Sequence, residues 1–414
     1  MSGFPSASRT EGPRGEELRG EELQSQELHG IAAALDGDLG ALGSWLHRDV
    51  EGDIALRHRA AEGLALAALE ADLEGPALGP WRRRLRRTSI HYLALEDSLG
   101  RAGAVLSGAG VRWMPIKGLD LSDRVYPQRE ARPTSDIDLL ISTADRDRGR
   151  AALEGAGWRG LVDGPRQDRY LREEGYAWQA RGPSGCLVEL HHRLWGAVPE
   201  NLARELVEGS EPAGPEDYAR RPTLEGAYLV AAIHAFTVAP PRGAGLWFDL
   251  ARISDRASTA GESDSEASGF ADRVAALAGR FGVQLPVQLA AAVSARLWNR
   301  GPCRRVADLL RADLRPFEGR LARAADPESA GLGAVTLARI LSGRPTRLGL
   351  RLLMRRLWAH PGVVEAAGGE GPWLRRRLEY QWRALGLPWP SAPQSKLQGP
   401  NIPPSPSSPR SADR

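Results

Sequence analysis

Asp136 and Asp138 stand two residues apart at the head of an apolar run, Asp136-Ile137-Asp138-Leu139-Leu140-Ile141. On a strand, residues i and i+2 point to the same face, so both carboxylates share one side. Held that close they repel each other unless a cation lies between them. Mg²⁺ is commonly bound by one or two carboxylates together with substrate phosphate oxygens, so the pair suits a metal–triphosphate complex. Glu189, in Leu187-Val188-Glu189-Leu190-His191, sits between apolar neighbours on a second predicted strand. A carboxylate embedded there is costly unless it is paired or metal-bound. Its competing reading is an ion pair with one of the abundant arginines. Three carboxylates on two neighbouring strands can hold two divalent ions, one activating an attacking oxygen and one holding a triphosphate.

Lysine is almost absent: of 55 Lys+Arg residues, Lys117 and Lys396 are the only lysines. Lys117 marks a place for a compact ammonium on a flexible stem, where a planar fork is no equivalent. Lys117-Gly118 follows a short apolar run and opens a predicted helix. Glycine lets a backbone approach a phosphate, and a helix N-terminus adds free N–H groups and a positive dipole. Lys117 would then contact the β- or γ-phosphate; the plainer reading is a surface turn. Arg132, just upstream of the acidic pair, is expected to hold a phosphate or to pin Asp136.

Alternating elements position these residues. Val111–Ile116 and Ile137–Ile141 read as strands, Gly118–Val125 and Asp145–Gly155 as helices, and Tyr176–Ala180 and Leu187–Leu190 as strands around a turn-rich Arg181–Gly185. The fold class expected is α+β, a small core at 108–200 flanked by helical regions at 28–107 and 201–388. Residues 1–27 and the Pro/Ser-rich 389–414 are expected to be disordered, and 257–269 to form a mobile loop. Trp81–Ser107 reads as a long amphipathic helix. Its basic start, Arg82, Arg83, Arg84, Arg86 and Arg87, is expected to be a solvated face rather than a phosphate-binding one.

Composition narrows the function classes. A formal charge of +3 forces no nucleic-acid partner. Cys186 and Cys303, far apart and without metal spacing, exclude a disulfide scaffold and a Cys-rich zinc site. The polar N-terminus carries no apolar signal core, and the longest apolar run, Tyr228–Ala239, is too short for a bilayer, so a cytoplasmic location without membrane partners is expected. Arg351, Arg355, Arg356 and Arg375-Arg376-Arg377 could meet an acidic partner such as RNA. With little aromatic interleaving, nucleic acid is not favoured. His191-His192 lacks a second metal-ligand spacing, so no zinc site is expected there.

The order Ile116-Lys117-Gly118, Tyr126-Pro127, Arg132-Pro133, Asp136-Ile137-Asp138-Leu139-Leu140 and Glu189-Leu190-His191-His192-Arg193-Leu194 resembles the uncharacterised bacterial nucleotidyltransferase family, within the DNA polymerase β-like nucleotidyltransferase superfamily. The resemblance covers about Trp81 to Ile253, with a looser match in the Arg-rich helices out to about Leu385. It implies a mixed sheet backed by helices, with Asp136, Asp138 and Glu189 as Mg²⁺ ligands. It also implies transfer of a nucleoside monophosphate from a nucleoside triphosphate such as ATP, releasing pyrophosphate. The acceptor is open: a small molecule, a peptide or a protein. The alternatives are a nucleotide-binding regulatory protein that turns over poorly and an RNA-directed transferase. Two positions depart from the superfamily: Lys-Gly replaces the usual Gly-Ser or Gly-Gly, and Glu189 stands where Asp is more usual. Downstream, His234 and Asp249 lie in helical segments echoed in the family and are expected to satisfy each other.

Overall fold

The computed structural model describes residues 26–324, apart from 50–54, 57–58, 162–163, 166–168, 170, 172–174, 195–197, 215–216, 239–243 and 261–263. The Pro/Ser-rich tail, the arginine clusters at 351–377 and residues 1–25 lie outside the described residues. Helix α1 (26–35) begins inside the stretch expected to be disordered. Its Leu28, Ile31 and Ala34 recur at helical spacing and are buried, which draws the segment into the fold.

Before the first strand the described residues also include α2 (Leu39–Arg48), α3 (Ala61–Glu70) and α4 (Leu78–Gly108). Asp38 caps α2, its side chain accepting from the Ala41 N–H. Trp45, Leu64 and Trp81 belong to one buried cluster joining α2, α3 and the start of α4. With 31 residues, α4 is about 46 Å long. That length lets it serve two regions: Leu95, Ala102 and Leu106 pack beneath the sheet, while the first turns reach beyond it.

The core alternates as its pattern predicts. Strand β1 (Trp113–Pro115) leads to α5 (Gly118–Val125), β2 (Asp136–Ile141), α6 (Arg146–Gly155), β3 (Arg159–Gly160), β4 (Ala177–Arg181) and β5 (Leu187–His191). The sheet order is β1-β2-β5-β4-β3, with β2 and β5 parallel and the other neighbours antiparallel. The sheet is therefore mixed and the fold α+β. Ile137, Leu139, Ile141, Val188 and Leu190 form one buried face against α4 and α6.

Beyond the core come α7 (Glu200–Glu208) and a short ladder of β6 (Glu211–Pro212) and β7 (Arg220–Arg221), which the sequence pattern does not announce. Helices α8 (Leu224–Val238), α9 (Ala244–Ala260), α10 (Asp264–Phe281), α11 (Gln284–Trp298), α12 (Gly301–Asp313) and α13 (Pro316–Ala324) follow. The loop expected at 257–269 is a correction: α9 runs through Ala260 and α10 starts at Asp264. Ser258, Asp264 and Glu266 thus lie within helices, while 261–263 lie outside the described residues. No described helix is long and apolar enough to cross a membrane.

Candidate active site

The β2–β5 register brings the acidic residues together. Asp138 lies opposite Glu189, and Leu140 opposite His191, on parallel strands about 5 Å apart. Because Ile137, Leu139, Val188 and Leu190 face the core, Asp136, Asp138, Glu189 and His191 share the other face. One donor atom from each of Asp138, Glu189 and His191 lies within 4.8 Å of the others. Asp136 is outside that trio, yet near enough for Asp138 and Glu189 to raise its pKa.

Lys117 joins them from β1. Pro115 pairs with Leu139, and the Ile116 N–H donates to the Asp138 carbonyl at 2.9 Å, which carries the chain alongside Asp138. It then turns at Lys117 with φ 58 and ψ −119, a backbone region that favours glycine and costs about 1–3 kcal/mol otherwise. The side chain explains why a lysine is held there. Its Nζ lies 2.6 Å from Asp138 Oδ1, and both side chains are buried. The surface-turn reading of Lys117 does not hold.

Each carboxylate feels a different environment. Burial pushes the Asp138 carboxyl up, but Lys117 and the His191 Nε2, 2.8 Å away, outweigh it and hold the group well below the usual range. Burial also raises Glu189, and His191 again reverses the direction, its Nε2 3.3 Å from Glu189 Oε2. The Gln179 amide donates to the other Glu189 oxygen. Glu189 thus takes a histidine and a glutamine as partners, not an arginine. Asp136 is raised, by burial first and then by Asp138 and Glu189. Three carboxylates share this face with the Lys117 ammonium, and Arg59 also acts on Asp136, so the carboxylates outnumber the lysine and arginine charges.

Sequence reasoning missed His191. The signal was its position two residues after Glu189, which places both on one strand face. Tyr176 stacks on the imidazole at 5.8 Å between ring centroids and 21° between planes, fixing its orientation. Two carboxylates and an imidazole fit a divalent cation by the chemistry of their donors. The charge excess is the reason one would be held.

Gly118 and Arg132 behave differently from expectation. A Cβ on Gly118 would collide with Thr134 Oγ1, so a close protein neighbour already requires the glycine. Arg132 does not pin Asp136: its Nε and Nη2 donate to the two oxygens of Asp249 at 2.7 and 2.9 Å. Tyr126 Oη donates to Asp249 Oδ1 at 2.8 Å, and Tyr92 Oη to the Arg132 carbonyl at 2.5 Å. The expected His234–Asp249 pairing is replaced by this bridge, because a planar fork matches a carboxylate better than an imidazole does. The bridge anchors the segment that enters β2 at Asp136.

A cleft of about 920 Å³ opens over the carboxylates. Asp136, Asp138, Glu189, Lys117, Gly118, Thr134 and His234 line one side. Arg83, Arg84 and Arg87 of α4 line another, and Arg59 lines the cleft near enough to Asp136 to act on it. The basic start of α4 is thus a cleft wall, not merely a solvated outer face. Amphipathic periodicity could not reveal this, because that end of the helix extends past the sheet.

No curated protein matches the chain. Among solved structures, the solution structure of the antibiotic-resistance factor ANT(2'')-Ia is similar at 16% identity, over 45% of this chain and 96% of that one, with a TM-score of 0.28. A family model described as uncharacterised nucleotidyltransferase matches residues 54–299, which span the carboxylates, Lys117 and the arginine wall. The match takes in more than half of the 414 residues, and the chain belongs to the uncharacterised nucleotidyltransferase family.

Proposed function

We propose that this nucleotidyltransferase moves a nucleoside monophosphate from a nucleoside triphosphate, ATP in the simplest case, to a small-molecule, peptide or protein acceptor in a Mg²⁺-dependent reaction. The observation that carries the reading is the crowding of Asp136, Asp138, Glu189 and His191 on one sheet face, short of positive charge and open to a 920 Å³ cleft. Asp138, Glu189 and His191 would hold the cation, with Asp136 completing the set through a substrate-facing oxygen. When bound, the cation supplies charge neutralisation at the phosphates.

The chain's own residues do the rest. Lys117, poised on Asp138, places an ammonium where triphosphate oxygens approach. Tyr176 and Gln179 keep His191 and Glu189 oriented. The Arg132–Asp249 bridge fixes the entry to β2, so Arg132 serves the site by positioning rather than by touching phosphate. The acceptor oxygen attacks the α-phosphorus, the bond to the α–β bridging oxygen breaks, and pyrophosphate leaves. Most of the rate comes from orientation and preorganised charge. A regulatory protein that only binds nucleotide would have no need of the full carboxylate set.

The test is incubation with labelled nucleoside triphosphates and Mg²⁺, followed for pyrophosphate release and for label on candidate acceptors or on the protein itself. Asp136→Asn and Asp138→Asn should each lower turnover about a hundredfold or more, near 3 kcal/mol of transition-state stabilisation. Unchanged turnover in both variants would remove the pair from the site.

A further inference from the structure

Arg83, Arg87 and His91 follow one another at intervals of four on α4, so they form a single stripe along the helix. The stripe lines the cleft whose other side carries Asp136, Asp138 and Glu189. Their neighbour Arg84 is already engaged: its Nε donates to Glu62 at 2.6 Å, and Thr88 Oγ1 donates to the same carboxylate oxygen at 3.2 Å. Arg83 and Arg87 have no such partner among the described residues, whereas Arg59 acts on Asp136 of the sheet face. The molecule therefore satisfies one arginine of this wall internally and leaves two guanidinium groups, those of Arg83 and Arg87, facing the cavity.

An arginine on an open convex surface is satisfied by water. These two line a concavity whose volume stands at the upper end of the range for sites that hold one small ligand. Nucleotidyl transfer needs room for two substrates. The donor triphosphate has its own cations on the sheet side, Lys117 and the divalent ion that the carboxylates would hold. Along α4 the rise from Arg83 to Arg87 is about 6 Å, close enough for two forks to grip one oxyanion group from adjacent positions.

We propose that Arg83 and Arg87 bind an oxyanion group on the acceptor, a phosphate or a carboxylate, and so select anionic acceptors. The proposal rests on the nucleotidyltransferase reading above. It assigns the two walls to different substrates: the sheet wall takes the donor through cations, and the helical wall takes the acceptor through guanidinium forks. A cationic acceptor would meet like charge along α4 and be disfavoured.

Calorimetric titration of the full chain tests it, with a non-hydrolysable triphosphate plus Mg²⁺ as the donor ligand and inorganic phosphate and succinate as acceptor probes. Wild type saturated with the triphosphate should still bind phosphate or succinate, and which of the two binds identifies the acceptor's group. In the Arg83→Gln/Arg87→Gln double variant that binding should weaken about tenfold or more, the loss expected for charge-assisted hydrogen bonds. Triphosphate affinity should stay within about twofold. Both side chains are exposed, so the melting temperature should not move and the variant remains interpretable. A tenfold loss of triphosphate affinity would give the wall to the donor and overturn the proposal. So would equal phosphate and succinate binding in wild type and variant, or no binding of either to the saturated wild type. Failure of wild type to bind the triphosphate at all would instead sink the nucleotide reading, and this proposal with it.

Discussion

Two buried charge clusters meet on the segment from Arg132 to Asp138, and they are built to opposite plans. Around Asp249, a two-pronged Arg132 and the Tyr126 hydroxyl satisfy both carboxylate oxygens. Around Asp138, one ammonium and one imidazole serve a face that also carries Asp136 and Glu189. The first cluster closes on itself and spans 117 residues of sequence, tying the entry of β2 to α9. The second keeps an unbalanced negative charge and opens on a cleft. Burial alone does not distinguish structure from function; the balance of charge does. A closed pair holds the fold, while an open excess calls for a ligand.

Removing one cation from each cluster should break them differently. Arg132→Met should have the largest effect on stability, a loss of about 3–5 kcal/mol in chemical unfolding, because Asp249 is left charged and buried. Divalent cations should not restore it. Lys117→Met should cost less, about 2 kcal/mol, since His191 still hydrogen-bonds Asp138. Here a divalent cation should restore stability, by about 2–3 kcal/mol at a hundredfold excess over its dissociation constant. Equal response of the two variants to cation would erase the distinction between the clusters.

A smaller effect comes with pH. Burial first, and then Arg146, push the His192 pKa down to about 3. The unfolded chain takes up that proton near 6.5 and the folded chain only near 3, so His192 lowers stability as pH falls through that window. Asp120 has the opposite sign: burial raises it to about 6, so the folded state binds its proton first and gains stability as pH falls from there. Comparing wild type with His192→Gln cancels the Asp120 contribution. The stability difference should shift against wild type by about 1.4 kcal/mol per pH unit below pH 6. A pH-independent difference would show that His192 is not buried neutral.

The local frame of the site was legible because it is written in short-range pattern. The apolar runs ending at Ile116 and Ile141 and around Val188 and Leu190 became β1, β2 and β5, and Gly118–Val125 became a helix with those bounds. Strand periodicity put Asp136 and Asp138 on one face. The same rule, applied to Leu187-Val188-Glu189-Leu190-His191, puts His191 on the face of Glu189. Partner choice was less legible. Nothing local says that Arg132 meets Asp249 rather than a phosphate, since that contact is made by α9 returning to the core. The arginines of α4 read as a solvated face because periodicity tells which side of a helix packs, not where its overhanging end lies. The Ser/Asp/Glu stretch at 257–269 misled because polarity marks exposure, and exposed helix ends share it.

The central claim is that the open cluster on β2 and β5 holds a divalent cation and the closed one does not. Titration of the protein with Mn²⁺, followed by electron paramagnetic resonance of the free ion, tests this most directly. Wild type and Arg132→Met, the latter studied at a temperature where it remains folded, should bind Mn²⁺ with similar stoichiometry, and Asp138→Asn should lose that binding. The same Mn²⁺ uptake in Asp138→Asn as in wild type would contradict the account.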